Sequence, residues 1–358
     1  MLERFHVSEE VAVRVREPAL RSTVERIFMG LGVPGDHARV GADVLVAADL
    51  RGVETHGVSN ILRGYVRGYS DGSINPRPAL RIVRETASCA TVDCDRGLGI
   101  IMAPKAMGIA IEKARATGVG MVSMGNGGHL GMAAYHAMLA VEHEMIGVCM
   151  TSCPATVAPT FAARAAVGTN PIAVAAPAGE EVPFVFDAAT SATPVNRVRL
   201  AARLGVNLAP GWIATPDGTP IMEEVPVPER WSLLPLGSTR ELGSHKGYSL
   251  AAVVDILGSV LNGNAAAPTG RFRTYGHFVA AYSVEAFVDV GEFKQGMDEY
   301  LRALRSLEPA PGHERVLYAG MLEAEVEAER RARGIPLHPE VIDWFRNTCA
   351  EMEIDFIL

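Results

Sequence analysis

The sequence predicts an α/β protein that also carries a helical domain. Its 358 residues exceed the usual size of a single hydrophobic core. Helical periodicity dominates before residue 75, and strand and helix patterns alternate after residue 78. The prolines in residues 75–78 make that stretch extended, because proline disfavours the helical conformation of the residue before it. We therefore expect a helical domain over residues 1–78, joined by C-terminal helices in residues 310–358, and an α/β domain over residues 79–309.

Composition and charge exclude several classes of protein. Hydrophobic residues make up 48% of the chain and charged residues 21%, which is typical of a globular protein. The net charge of -8 provides no basic surface for nucleic acid, although it leaves room for a local pocket that binds a small anion. Residues 1–6 lack the apolar core of a signal peptide, and no apolar run is long enough to span a membrane. We expect a cytoplasmic protein with no membrane or nucleic-acid partner.

The N-terminal part reads as one short strand and three helices. Valines alternate with other residues over 11–15, which indicates a strand. Helices are predicted from Pro18 to about residue 29 and from residue 35 to Gly52, each closed by glycine. Ser59 is predicted to cap a third helix, which Gly72 ends.

The rest of the chain alternates strands and helices. Strands are predicted over 80–93, 119–124, 146–150, 172–176, 184–187 and 271–282, and helices over 104–117, 132–142, 248–261, 284–304 and 321–333. A glycine-rich loop over residues 125–131 joins a strand to a helix, as in a βαβ unit that binds a dinucleotide. The loop lacks the GxGxxG fingerprint, so a standard Rossmann domain is not expected.

The stretch from Asp49 to Tyr65 contains the strongest candidate for catalysis. His56 is followed by Gly57 and preceded by Thr55, whose hydroxyl can orient the imidazole ring. Arg51 and Arg63 lie on either side and can attract a carboxylate. The pattern predicts a site that passes a proton to an anionic substrate, with a purely structural histidine as the alternative.

Two further residues are candidates for the same chemistry. Asp187 ends an apolar strand, where a carboxylate can raise an imidazole pKa and fix its tautomer, or else cap a helix. His129 lies in the glycine-rich loop. With His136 and His143 it forms a seven-residue repeat, but a spacing of about 10 Å along a helix is too long for one metal ion. We expect no metal site.

Five collinear motifs resemble the type 2 malate/L-lactate dehydrogenase family. They are residues 49–57, 128–131, 168–171, 187–191 and 245–248, and the resemblance runs from about residue 35 to residue 336. It implies a non-Rossmann dinucleotide-binding fold with a mixed sheet plus a helical domain, in a homodimer. The implied reaction is hydride transfer between NAD or NADP and a small 2-hydroxy or 2-oxo acid such as malate or lactate.

The resemblance also implies roles for individual residues. His56 would protonate the substrate oxygen, His129 competes for that role, and Thr55 and Asp187 would orient the ring. The segments that match cofactor contacts contain Asp187, Ala188, Ala189, His245, Lys246 and Gly334.

The chain departs from the family pattern where the substrate and the cofactor would bind. Asn60 stands where many members carry an arginine for the substrate carboxylate, and Arg63 or Arg51 is expected to replace it. Residues 194–197 replace a usual Gly-Lys pair. Arg197 and Arg199 can pair with the 2′-phosphate of NADP or lie on the surface, so the choice of cofactor stays open. A reductase of cyclic imino acids and a catalytically inactive family member are the alternatives.

Overall fold

A computed structural model describes residues 7–358, so the predicted absence of a signal peptide in residues 1–6 lies outside the described residues. The helices are α1 Glu17–Gly30, α2 Gly35–Leu50, α3 Arg63–Ser70, α4 Gly99–Thr117, α5 Ala133–Val141, α6 Val195–Leu204, α7 Ser244–Gly258, α8 Val290–Arg305, α9 Met321–Arg333 and α10 Pro339–Glu351. The strands are β1 Val13–Val15, β2 Arg81–Glu85, β3 Cys89–Asp93, β4 Val119–Gly127, β5 Met145–Ser152, β6 Ile172–Ala176, β7 Phe184–Ala188, β8 Ile213–Ala214, β9 Ser232–Leu233, β10 Tyr275–Ser283 and β11 Ile335–Leu337.

Seven strands form one mixed sheet in the order β2-β3-β4-β10-β5-β6-β7, which confirms the predicted mixed α/β class. β3 and β4 run parallel, and the other neighbours run antiparallel. β10 lies between β4 and β5, where Val279 pairs with Val122 on one side and with Cys149 on the other. The sheet therefore differs from the all-parallel sheet of a Rossmann domain.

Small residues let helix α5 approach the sheet closely. A Cβ atom added to Gly147 of β5 would lie 2.0 Å from the Ala137 carbonyl oxygen of α5. Only glycine allows this separation between a helix and a strand. The contact fixes the position of α5 and of the glycine-rich loop before it.

Two hydrophobic cores hold the elements that build the site. The larger core contains Leu45 of α2, Ile101 of α4, Val122 of β4 and Phe345 of α10, so it joins the N-terminal helices, the sheet and the last helix. The smaller core packs α6 against α7 and the short β8–β9 ribbon. Within residues 7–358, no helix is long and apolar enough to cross a membrane.

Two element predictions were wrong. Ser59 does not cap a helix, because residues 58–62 already form a π-helical turn that continues directly into α3. The extended residue before this turn is Gly57, with φ -88° and ψ -172°. Helix α6 was not predicted at all, although Pro194 precedes it and Gly205 ends it in the left-handed conformation. The short strands β8, β9 and β11 were not predicted either. The other predicted helices and strands are present, but α4 begins five residues early, α7 four residues early and α8 six residues late.

Candidate active site

A cavity of about 850 Å³ lies next to the turn that follows α2. Its volume is typical of a site for a small molecule. The lining comes from the turn after α2, the loop before α5 and the segment that leads into α6: residues 51–56, 131–134 and 191–197, together with Asn60, His129, Asp187 and Tyr275. The cavity thus brings together His56, His129 and Asp187, which the sequence predicted as site residues.

The turn that carries His56 folds over a buried carboxylate. Asp49, near the end of α2, is fully buried, and its Oδ2 accepts a hydrogen bond from the Val58 backbone nitrogen at 2.8 Å. A Cβ atom on Gly57 would lie 1.9 Å from Asp49 Oδ1, so only glycine fits here. Burial raises the pKa of Asp49 to about 7. Arg330 of α9 donates to the Asp49 carbonyl oxygen and pairs with Glu54.

His56 and His129 stack against each other in the cavity. Their ring centroids are 5.6 Å apart and their planes differ by 9°. Burial lowers the pKa of His56 to about 4. Burial, with the neighbouring His56 as the next cause, lowers the pKa of His129 to about 3. Both rings are therefore neutral near pH 7 in the absence of a bound anion.

The two histidines differ in the partner of their Nδ1 atoms. His56 Nδ1 lies 2.9 Å from the Thr55 hydroxyl, as the sequence predicted. His129 Nδ1 accepts from the Tyr65 hydroxyl at 2.7 Å and from the Gly131 backbone nitrogen at 3.2 Å. A backbone N–H can only donate, so the proton of neutral His129 lies on Nε2.

Asp187 has a different partner from the one proposed for it. Its Oδ2 accepts a hydrogen bond from the Ala134 nitrogen at 2.7 Å, at the start of α5. Burial raises its pKa to about 6. Asp187 and His56 line the same cavity, but no hydrogen bond joins them within the described part of the chain. The carboxylate caps the helix that follows the His129 loop, rather than the residues after itself.

The three residues expected to bind the substrate differ in their availability. Arg51 lines the cavity but is held by Glu327 at 3.0 Å. Asn60 also lines it and donates to the Glu54 carbonyl oxygen at 2.7 Å.

Arg63 does not line the cavity. Its guanidinium pairs with Glu340 of α10 at 2.6 Å and stacks over Trp344 with its carbon 5.4 Å from the ring centroid. This ion pair removes Arg63 from the position that the sequence suggested for it.

The residues expected to bind the cofactor divide into two groups. Ala188 and Ala189 line the cavity beside Asp187. His245, Lys246 and Gly334 do not: His245 lies near the start of α7 beside Arg240, Lys246 is exposed, and Gly334 follows α9.

Helix α6 supplies Asn196, for which the sequence predicted no role, and Arg197, which the sequence offered only as a possible contact for the 2′-phosphate of NADP. The Asn196 side chain donates to the Thr55 carbonyl oxygen at 2.8 Å, which ties α6 to the His56 turn. Arg197 lines the cavity, and burial lowers the pKa of its guanidinium. The amphipathic spacing of Val198, Ala201 and Leu204 was the signal that would have revealed the helix.

Comparisons with known proteins agree with the fold and show the family. The family model for malate/L-lactate dehydrogenase matches residues 15–346. A malate dehydrogenase of Pyrococcus abyssi is 39% identical over 96% of each chain, and an L-sulfolactate dehydrogenase of Methanocaldococcus jannaschii is 32% identical over 92% of this chain and 94% of that protein. The crystal structure of malate dehydrogenase from Entamoeba histolytica superimposes with a TM-score of 0.92 at 34% identity, covering 97% of this chain and 100% of that one. The chain therefore belongs to the malate/L-lactate dehydrogenase family and is a dehydrogenase that acts on the CH–OH group of a hydroxy acid with a nicotinamide cofactor.

Proposed function

We propose that this enzyme interconverts a small 2-hydroxy acid such as malate and its 2-oxo acid, with His56 as the group that carries the proton. The similarity to malate and sulfolactate dehydrogenases supports this class of substrate. The observation that carries the choice of His56 is the difference between the Nδ1 partners of the two stacked histidines.

A proton carrier must keep its hydrogen bonds in both of its charge states. The Thr55 hydroxyl can donate to His56 Nδ1 or accept from it, so either state of the His56 ring keeps this partner. Protonation of His129 Nδ1 would place two N–H groups against each other, because the Gly131 nitrogen cannot accept. We infer that His129 stays neutral and donates Nε2–H to the substrate oxygen, while His56 gains and loses the proton.

The two histidines then have separate roles during reduction. When bound, a nicotinamide cofactor would supply the hydride that goes to the substrate C2 carbon. His129 Nε2–H polarises the carbonyl, and the imidazolium of His56 gives its proton to the developing oxyanion. An anionic substrate next to His56 raises its pKa towards neutrality, which counters the lowering by burial. In the oxidation direction His56 accepts the hydroxyl proton.

The lining of the cavity fits a nicotinamide nucleotide. The hydroxyls of Thr156 and Thr193 are buried without a hydrogen-bond partner among the described residues, and both threonines line the cavity. Carboxamide or ribose groups of NAD or NADP can satisfy them. The small side chains of Ala188 and Ala189, which line the cavity beside Asp187, would leave space for the nicotinamide ring. His245, Lys246 and Gly334 are proposed as further cofactor contacts on the strength of their motifs alone.

Substitution of His56 tests the proposed mechanism. General acid–base catalysis contributes about 10²–10⁴-fold, so His56→Gln should lower kcat by that factor while the dissociation constant for NADH is retained. His129→Gln should also lower kcat but keep the ionisation in the pH profile, which His56→Gln should abolish. A His56→Gln variant with an unchanged pH profile of kcat would remove His56 from the proposed role.

Substrate and cofactor assays complete the test. Oxaloacetate, pyruvate and a cyclic imino acid are each offered with NADH and with NADPH. Reduction of the oxo acids supports the proposed reaction, whereas reduction of the imine alone would replace it. Absence of turnover and of dinucleotide binding would indicate an inactive family member.

We also propose that the enzyme is a cytoplasmic homodimer. Five apolar side chains on α7 and the turn after it are between 42 and 56% exposed and repeat mainly at three- and four-residue spacing: Leu250, Val253, Ile256, Val260 and Leu261. A second protomer can cover such a patch.

We propose further that the chain is divided into a helical domain of residues 1–78 and 310–358, which supplies His56, and an α/β domain of residues 79–309, which supplies His129 and Asp187.

A further inference from the structure

We propose that Arg197 of α6 binds the carboxylate of the substrate and so takes the place of the arginine that the chain lacks at Asn60. The inference rests on the proposed function, because it names the group that recognises the acid. It assigns this recognition to a helix outside the stretch that carries His56.

Arg197 and Arg199 are the cavity-lining cations that have no acidic partner within residues 7–358, and Arg197 is the more buried of the two. Arg51 is held by Glu327 at 3.0 Å. Arg199 is exposed and donates to the Asn196 side-chain oxygen at 3.2 Å. The Arg197 guanidinium has neither an ion pair nor a hydrogen bond to another described residue, so it is free to bind an anion.

The surroundings of Arg197 favour a bound carboxylate. A partly buried guanidinium without a counter-charge has lost water and gained no partner. A carboxylate can accept two parallel hydrogen bonds from guanidinium, which makes this pair both strong and oriented. The carboxylate of a substrate would therefore supply the negative charge that no described residue provides for Arg197.

The position of α6 places Arg197 on the cavity that His56 also lines. The preceding residue, Asn196, donates to the Thr55 carbonyl oxygen at 2.8 Å, one residue before His56. In a 2-oxo acid the carboxylate is bonded directly to the carbon that accepts the hydride. A residue that holds the carboxylate must therefore lie close to the proton carrier, and the hydrogen bond from Asn196 keeps the start of α6 there.

Arg197→Met and Arg197→Lys test the inference, with Arg203→Met as the control. Arg203 lies on the same helix, does not line the cavity and is 3.8 Å from Glu340. We expect Arg197→Met to raise KM for the preferred oxo acid about 100-fold and to weaken binding of oxamate to the enzyme–NADH complex by a similar factor. Arg197→Lys should restore part of the loss, because lysine keeps the charge without the planar pair of donors.

Comparison of pyruvate with its methyl ester separates recognition of charge from a general structural effect. The wild-type enzyme should prefer the acid, and Arg197→Met should lose this preference while Arg203→Met keeps it. Unchanged KM and oxamate affinity in Arg197→Met would overturn the inference. A rise in KM for NADPH alone would also overturn it, because Arg197 would then bind the 2′-phosphate.

The inference and the proposed function fail in different ways. If the wild-type enzyme reduces a cyclic imino acid and no 2-oxo acid, the proposed function is wrong. That substrate also carries a carboxylate, so its KM in Arg197→Met still decides the role of Arg197. If the wild-type enzyme reduces neither 2-oxo acids nor cyclic imino acids, binding of oxamate to the enzyme–NADH complex tests the role of Arg197. The inference expects Arg197→Met to lose this binding.

Discussion

Asp49 is a buried carboxylate with one satisfied oxygen. Oδ2 accepts from the Val58 nitrogen, whereas Oδ1 has no hydrogen-bond partner among the residues described. Burial is the largest cause of its raised pKa, and the nearby Glu54 adds to it. The folded chain therefore binds a proton at Asp49 that the unfolded chain releases at lower pH.

We expect Asp49 to make the free energy of unfolding fall as pH rises from about 4 to 7. The pKa of Asp49 is about 7 in the folded chain against an ordinary value of 3.8. Between these two values the unfolded chain has already lost the proton that the folded chain keeps, so raising the pH favours the unfolded chain. Asp49→Asn has no proton to lose. The free energy of unfolding of Asp49→Asn minus that of the wild-type enzyme should therefore be larger at pH 8 than at pH 5, by an amount on the order of 2–3 kcal/mol.

Urea unfolding of both proteins at the two pH values measures this difference. Other groups titrate in the same range, but they are common to both proteins and cancel in the comparison. A stability difference that is the same at pH 5 and pH 8 would show that Asp49 does not titrate there.

Sequence reasoning found the residues of the site more readily than their contacts. Thr55 and His56 are neighbours in the chain, so their hydrogen bond was foreseeable. Tyr65 reaches His129 across 64 residues, and Arg63 reaches Glu340 across 277 residues. Spacing along one helix carries no information about such partners, and for that reason Arg63 was expected to face the substrate.

The turn from α2 to α3 depends on Gly57. Gly57 allows the turn to fold back over α2, because any side chain would meet the Asp49 carboxylate. The π-helical turn of residues 58–62 then leads into α3 without a break. The turn that presents His56 is therefore held by two hydrogen bonds, one from the Val58 nitrogen to Asp49 and one from Asn196 to the Thr55 carbonyl oxygen.

We expect Gly57→Ala to destabilise the fold by about 1–3 kcal/mol, the usual effect of inserting a methyl group into a packed site. It should also lower kcat, because relief of the contact moves the His56 turn. Gly108→Ala is the matched control: Gly108 lies in α4 away from the cavity, and an added Cβ meets no described residue within 4 Å. Alanine there should be neutral or stabilising by up to about 1 kcal/mol.

Thermal or urea unfolding, together with initial-rate assays, distinguishes the two variants. Equal stability and equal kcat for Gly57→Ala and Gly108→Ala would contradict the proposed contact between the turn and Asp49.

Elements that combine proline or glycine boundaries with a clear buried face were predictable, and those without such a face were not. α1 and α2 are bounded by proline and glycine and have a clear buried face, so their limits were close to those observed. The Ser59 cap failed because the preceding extended residue was Gly57, which a local pattern does not reveal. α6 is a ten-residue helix whose buried face consists of only three residues, which gives a weak periodic signal.

At the scale of the whole molecule, the exposed apolar face of α7 carries the proposal of a homodimer. Ile256 is 56% exposed near the middle of this face. We expect Ile256→Glu to convert the dimer to monomers, because a buried carboxylate without a partner strongly disfavours the interface. Val83→Glu, at a position of β2 that is 67% exposed, should leave the dimer intact.

Size-exclusion chromatography with light scattering measures the mass of each variant. A monomeric wild-type enzyme, or an Ile256→Glu variant that remains a dimer, would show that the face of α7 has a different role.

The central position of β10 has a consequence for how this chain folds while it is being made. β4 and β5 leave the ribosome first, yet each pairs with β10, which is translated after α7. At about 5–20 residues per second, β5 waits roughly ten seconds for that partner. During this interval two apolar strand edges stay open to other nascent chains. We therefore expect the growing chain to be most prone to aggregation while residues 153–283 are being synthesised.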